Sequence, residues 1–253
     1  MRKELDLTLE TRLLRGKNVW FEDIEVKNLT LGEIDDIGMV EYLSIVNFST
    51  LTKDKLIDRK MAKHFQDYSF FDLVVMFEPL RDMFLKLLGI FTVHDEDDLG
   101  VAYIEQLNIF VVTNKDHKGK IRNSNFEDFL EFIRTVYCIP KIQKESERED
   151  IDEEMASLLR EFEEAEAKIA SENNTGTSIN SVIEAVSTKH PNLNLLDIWN
   201  YTMYQLMKTY YRLELLGDVE NMMRGIYSGC IDTKKINLKE YHWAKKLDWW
   251  LIG

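Results

Sequence analysis

Cysteine is almost missing from this chain: 2 of 253 residues, Cys138 and Cys230, with neither a CxxC pair nor a zinc-ligand spacing. A disulfide scaffold and a cysteine-rich metal site are thereby excluded, and the simplest reading is two buried thiols in a reducing compartment. Positive charge is also in short supply. With 32 Lys and Arg against 45 Asp and Glu the formal charge is -13, which disfavours a duplex nucleic-acid backbone as a general partner. No long apolar run is free of charge. The greasiest stretch, residues 70–91, contains Asp72, Glu78, Arg81, Asp82 and Lys86, so it reads as core helix and not as a membrane span. The opening residues Met1 to Asp6 turn acidic before any apolar run, unlike a secretion signal.

Short catalytic signatures are missing as well. The 5 histidines (His64, His94, His117, His190 and His242) form no HExxH or other close two-histidine pattern. His94 precedes Asp95, Glu96, Asp97 and Asp98, but these lack the alternate spacing and distal Glu of a calcium loop. They read as a solvated acidic turn. There is no GxSxG elbow, phosphate loop or GxGxxG fingerprint. The run Gly225 to Gly229 lacks the Lys-Ser/Thr pair of a phosphate loop and reads as a helix-packing or turn element. Cys138 and Cys230 both read as small buried hydrophobes. The expectation is a protein without enzymatic activity, cofactor or metal.

What is present is punctuation for elements. Leu5-Asp6-Leu7-Thr8-Leu9 alternates with period two and predicts a strand; Gly16-Lys17-Asn18 predicts a turn, and Val19–Phe21 and Ile24–Val26 predict two more strands. Thr30 with Glu33 forms a capping-box pattern, Leu29 is placed to staple onto Ile34, and Ile34, Ile37, Val40 and Leu43 form an apolar stripe. Ser69 with Asp72 opens the helix toward Leu88, which Pro79 should kink or split. Residues 108–112 predict a strand and 114–120 a turn. Ser124 with Glu127 predicts the start of a helix burying Phe126, Phe129, Ile133 and Val136, and Pro140 ends the unit.

Composition changes at 141. Between Lys141 and Asn174 there are 12 acidic and 5 basic residues, a net of -7, with a thin apolar seam at Met155, Leu158, Leu159, Phe162 and Ile169. The run Asn173-Asn174-Thr175-Gly176 breaks it. Beyond it the pattern is helical. Ile179, Val182, Ile183 and Val186 mark one helix. Asn194 caps a second that starts at Asp197, with Leu193 stapling Ile198 and a face of Ile198, Tyr201, Met203, Leu206, Tyr210 and Leu213. Gly217 stops it, and Val219–Tyr227 forms a third. The predicted architecture is an α+β N-terminal domain with a small antiparallel or mixed sheet (1–140), an acidic and mostly helical connector (141–176), and a small all-α C-terminal bundle (177–253). Proteolysis should cut first within 141–176.

Only the C-terminal part is locally basic. Residues 224–248 hold Arg224, Lys234, Lys235, Lys239, Lys245 and Lys246 against Asp232, Glu240 and Asp248. Tyr241, Trp243, Trp249 and Trp250 are interleaved. Such rings can fill a core, anchor a protein interface or stack on single-stranded nucleic acid, and the overall acidity disfavours the last. Tyr241, Trp243, Lys245, Lys246, Trp249 and Trp250 are the candidate partner-binding residues: four rings within ten residues exceed what a small bundle readily buries.

Three stretches resemble tail assembly chaperone-like proteins of phages and prophages of Gram-positive bacteria. Residues 121–129, Ile121-Arg122-Asn123-Ser124-Asn125-Phe126-Glu127-Asp128-Phe129, resemble the family's "I…NFEEF" strand-to-helix step. Residues 195–206, from Leu195-Leu196-Asp197-Ile198-Trp199-Asn200 to Leu206, resemble its "IWNLTIYQL" helix. Residues 229–239, followed by Tyr241 and Trp243, resemble its terminal segment and "KHW" ending, and Leu29 to Ile34 also fits. The resemblance implies a non-enzymatic chaperone that coats apolar helices of the tape measure protein and keeps them soluble while the tail tube assembles. The tape measure protein is then the expected partner, with the tail tube protein and self-association as further candidates, and neither nucleic acid nor membrane. The implied location is the host cell cytoplasm, outside the mature virion. Two alternatives stand beside it: a tail or baseplate structural protein retained in the virion, and a metal-dependent hydrolase using scattered carboxylates and histidines.

Overall fold

The computed structural model describes residues 7–53, 65–96, 100–115, 117–139, 178–230 and 242–245. In the N-terminal region small antiparallel sheets mix with helices, and the C-terminal region is an all-helical bundle. Pro140 and the acidic connector 141–176 lie outside the described residues.

Helix α1 (Leu7–Leu14) replaces the strand predicted from Leu5. Alternation over five residues fits either period, and the helix places Leu9 and Leu13, four apart, on one face, the first half-buried and the second fully buried. The predicted turn follows, with Gly16 at φ +65°. Strand β1 (Val19–Phe21) then pairs antiparallel with β2 (Ile24–Val26).

Helix α2 (Leu31–Ile37) opens on the predicted box. Thr30 Oγ1 accepts from the Glu33 amide at 3.2 Å, and the Glu33 carboxylate accepts from the Thr30 amide at 2.7 Å. Leu29 and Ile34 are both buried. The stripe predicted to continue through Val40 and Leu43 does not. Gly38, at φ +98°, separates α2 from α3 (Met39–Phe48) and resets the phase, so Tyr42, Ile45, Val46 and Phe48 turn inward while Val40 is 85% exposed. Ser69 and Asp72 form their capping box at the start of α4 (Phe70–Met76). Pro79 splits the 70–91 run by occupying the first turn of α5 (Glu78–Phe91), where a helix has no use for its missing N–H.

Strands β3 (Val101–Ile104), β4 (Ile109–Asn114) and β5 (His117–Ile121) form an antiparallel meander. Strand β5 corrects the turn predicted over 114–120. Its His-Lys-Gly-Lys composition looks like loop, yet the glycine is a packing requirement: a Cβ on Gly119 would lie 2.1 Å from Ile24 Cγ1. Helix α6 (Asn123–Val136) starts earlier than the predicted Ser124–Glu127 box. Asn125 is the residue that organises this start. Its Oδ1 accepts from the Arg122 amide at 2.8 Å, and its Nδ2 donates to Lys120 O and to the Glu22 carboxylate, each at 3.0 Å. A partner 103 residues away on the chain gives Asn125 the advantage over Ser124.

Phe84 stands at the centre of the N-terminal core, with ring centroids 4.7 Å from Phe110, 5.0 Å from Phe126, 6.0 Å from Phe48 and 6.2 Å from Phe129. The predicted inward face of α6 (Phe126, Phe129, Ile133 and Val136) is fully buried.

In the C-terminal region α7 (Ile179–Lys189) buries Val182, Ile183 and Val186 as predicted. Asn194 does cap, accepting from the Leu196 and Asp197 amides at 2.8 and 3.0 Å. However, it caps only a 3-10 turn, Asp197–Asn200, and not the predicted long helix. The backbone at Tyr201 is extended, and its carbonyl accepts from the Leu31 amide at 2.8 Å. A second start follows, in which Thr202 and Gln205 form a capping box for α8 (Met203–Tyr227). Helix α8 runs through Gly217, the predicted stop, and absorbs the separate helix predicted at 219–227. One buried cluster joins the two regions: Leu13, Leu31 and Phe84 share it with Val186, Ile198, Tyr204 and Leu206.

Candidate functional site

Of the six partner-binding candidates, Trp243 and Lys245 are described; Tyr241, Lys246, Trp249 and Trp250 lie outside the described residues. Trp243 is 59% exposed and stacks on His242 with ring centroids 6.1 Å apart and 19° between planes. Its backbone is held from α8: Arg212 Nη1 donates to the carbonyls of Trp243 and, at 3.1 Å, of Lys245. One guanidinium nitrogen thus serves two main-chain acceptors, and the indole is left outward. Cys230 is exposed, which corrects the expectation of two buried thiols.

A second surface was missed by the sequence reading. Leu195, Leu196 and Trp199 are 55%, 83% and 37% exposed, whereas Ile198 between them is fully buried. The cause lies in local geometry. Asn194 holds the amides of residues 196 and 197, the 3-10 turn directs Ile198 into the core, and the flanking leucines and Trp199 are left outside. The turn abuts α2, where a Cβ on Gly32 would come within 3.4 Å of the Trp199 carbonyl oxygen. The available signal in the sequence was the pair of adjacent leucines ahead of Ile198, since neighbours on a turn cannot all face one core.

Behind this surface the two regions are locked. Thr30 and Thr202, the caps of α2 and α8, form an antiparallel bridge. Gln205 both completes its box and donates from Nε2 to Leu14 O at 2.9 Å, the end of α1. Gly16 is favoured here by its backbone, at φ +65° in the left-handed region. One turn on, Lys208 Nζ lies 3.2 Å from Glu10 in a mostly buried ion pair and 5.4 Å from the Tyr204 ring centroid. Burial, with Glu10 adding to it, pushes the Tyr204 phenol up. Burial likewise raises the Cys138 thiol, against the opposing pull of Lys208, so that it stays protonated. These groups hold the seam.

At the acidic turn, the Asp95 carboxylate accepts from the Lys115 amide at 3.1 and 3.2 Å; Asp97 and Asp98 lie outside the described residues. Among the described residues no three His, Cys, Asp or Glu side chains gather closely enough to hold a metal ion, and no helix is long and apolar enough to cross a membrane. An open depression of about 540 Å³ at the start of α6 is lined by Phe71, Leu107, Ile109, Lys120 and Arg122 among others.

Residues 170–248 match the family described as YomV second domain, a stretch that takes in α7, the 3-10 turn and α8. No curated protein and no solved structure matches the chain.

Proposed function

We propose that this protein is a non-enzymatic assembly chaperone that covers apolar helical segments of a phage tape measure protein while a tail tube is built, as its resemblance to tail assembly chaperones implies. One observation carries the reading. The 195–206 stretch, which bears part of that resemblance, divides sharply: Ile198, Met203, Tyr204 and Leu206 are buried, and Leu195, Leu196 and Trp199 are exposed. Core packing accounts for the first group and leaves the second unexplained. Exposed apolar side chains grouped on a monomer's surface suit a reversible protein contact, and tryptophan is a favoured anchor in such contacts. The acidic surface would keep a loaded complex soluble. The outward indole of Trp243, together with Tyr241, Lys245, Lys246, Trp249 and Trp250, is a second candidate part of the contact.

The test is co-expression with a phage tape measure protein, scored by how much of that partner stays soluble. The intact chain should hold the partner in solution. Leu195→Ser with Leu196→Ser should release it into the pellet while leaving the melting temperature within about 2 °C, because both side chains are already in water. Trp249→Ala with Trp250→Ala reports separately on the C-terminal segment. A partner that is equally soluble without the chain would refute the chaperone role. A mass-spectrometric inventory of purified virions should lack the protein, and its presence there in stoichiometric amount would favour a structural component.

A further inference from the structure

The exposed 195–199 turn is not ringed by neutral surface. Asp197 sits within it, exposed, its carboxylate held by Asn194 Nδ2. Beside it, α2 presents Glu33, Asp35 and Asp36, all exposed. Placement follows from the close approach at Gly32: Asp35 and Asp36 are three and four residues on, so they lie along the same side of α2 that meets the Trp199 carbonyl. Among the described residues, none of these four carboxylates is ion-paired with a Lys or Arg. An apolar triad of two leucines and a tryptophan is therefore bordered on the α2 side by Asp35 and Asp36 and carries Asp197 within its own turn, while Glu33 is engaged by Thr30.

We infer that this surface docks a cationic amphipathic helix: a partner segment with an apolar stripe flanked by lysine or arginine. This rests on the chaperone reading and names the partner chemistry of its site. The stripe would lie on Leu195, Leu196 and Trp199, in the helix-on-apolar-surface mode, and the basic flanks would face Asp35, Asp36 and Asp197. A purely apolar helix would gain the first contact only. An acidic flank would be repelled, so the rim selects among helices of equal greasiness. The attraction also has a signature. Charges exposed to solvent are screened over about 10 Å at 0.1 M salt and about 3 Å at 1 M, so the selection should fade as salt rises while the apolar contact persists.

The experiment uses the full-length chain and two fluorescently labelled helical peptides with one leucine stripe in common, flanked in one by lysines and in the other by glutamates. By anisotropy at low salt, the lysine peptide should bind at least about tenfold more tightly, and 1 M salt should remove most of that preference. Asp35→Asn with Asp36→Asn should weaken the lysine peptide about fivefold at unchanged melting temperature, and Leu196→Ser should weaken it about tenfold. Asp218→Asn with Glu220→Gln removes two exposed acids on α8, roughly 24 Å along the helix from its start, and should change nothing. Equal binding of the two peptides, no binding of either, or equal loss in the remote variant would each overturn the inference. The co-expression test reads independently of it: a partner kept soluble alongside two peptides that bind alike would sink the cationic selection and leave the chaperone reading in place.

Discussion

The N-terminal and C-terminal regions solve burial in different ways. In the first, short elements from many parts of the chain converge on Phe84, and four other phenylalanines surround its ring within 6.2 Å. In the second, a single 25-residue helix is anchored at one end: Met203, Tyr204 and Leu206 are buried within its first turn, and after that only Leu215 and Met222 are. Both regions also expose large apolar side chains, Leu7, Val40 and Leu107 among those of the first; what sets the second apart is that Leu195, Leu196 and Trp199 share one short turn. The C-terminal region joins the common core through a few residues and leaves Leu195, Leu196, Trp199 and Trp243 outside.

The hardest blow to this comparison would come at its centre. Phe84→Ala should cost about 3–5 kcal/mol, because a cavity opens among packed rings that cannot collapse onto it. Since Ile198 and Tyr204 belong to the same buried cluster, tryptophan fluorescence and far-ultraviolet circular dichroism should report one coincident transition. Two separated transitions in denaturant would show that the regions fold as independent units.

At the seam the expected loss is smaller. Thr202→Ala removes the side chain that caps α8 and should cost about 1–2 kcal/mol. Hydrogen exchange should quicken in the first turns of α8 and not in α6. Protection lost equally in both helices would place the effect elsewhere.

Asn194→Ala should cost about 1 kcal/mol at most, less than Thr202→Ala, because Asn194 caps one 3-10 turn and not a 25-residue helix. The comparison needs only the two denaturation midpoints at equal m-value, and the reverse ranking would contradict the two-start arrangement.

The thiols offer a contrast without any change in stability. Cys230 should react with a thiol reagent within the mixing time of a manual assay, and Cys138 only under denaturing conditions. Rapid labelling of both in native buffer would mean that the seam around Cys138 opens readily.

Near neutrality the pH effects should be smallest. Burial, with Lys27 adding to it, lowers the His94 pKa. The unfolded chain then takes up the proton more readily, so this contribution is full above about pH 6.5 and declines as pH falls below it. Burial raises the phenols of Tyr42, Tyr137 and Tyr204, so their contribution is full below about pH 10 and is lost as pH rises beyond it. A flat plateau of stability between these limits is expected from urea titrations across pH, and His94→Gln should flatten the acid limb only.

Much of this molecule is legible in its sequence because the deciding contacts are local. Thr30 reaches Glu33, Ser69 reaches Asp72 and Asn194 reaches Asp197 across three residues, so their caps form wherever the chain goes afterwards. Pro79 breaks its helix for a reason contained in one ring. The inward faces of α6 and α7 follow from period alone. Of the candidate site, the excess of rings after residue 240 is visible in the sequence, and of those rings Trp243 alone is among the described residues; the 195–199 surface was hidden inside what looked like one continuous helix.

Tertiary structure decided the remainder. Whether residues 7–14 coil or extend depended on α8, whose Gln205 and Lys208 meet α1 at Leu14 and Glu10. Whether α6 began at Asn123 depended on Glu22, and whether His117 to Ile121 became a strand depended on Ile24 passing over Gly119. The long helix could not start at Asp197, because the Tyr201 carbonyl is engaged by Leu31 and Thr202 is bridged to Thr30. Each of these pairs is separated by about a hundred residues or more. A local pattern sets which conformations a segment can adopt at low cost, and contacts between distant segments select one of them.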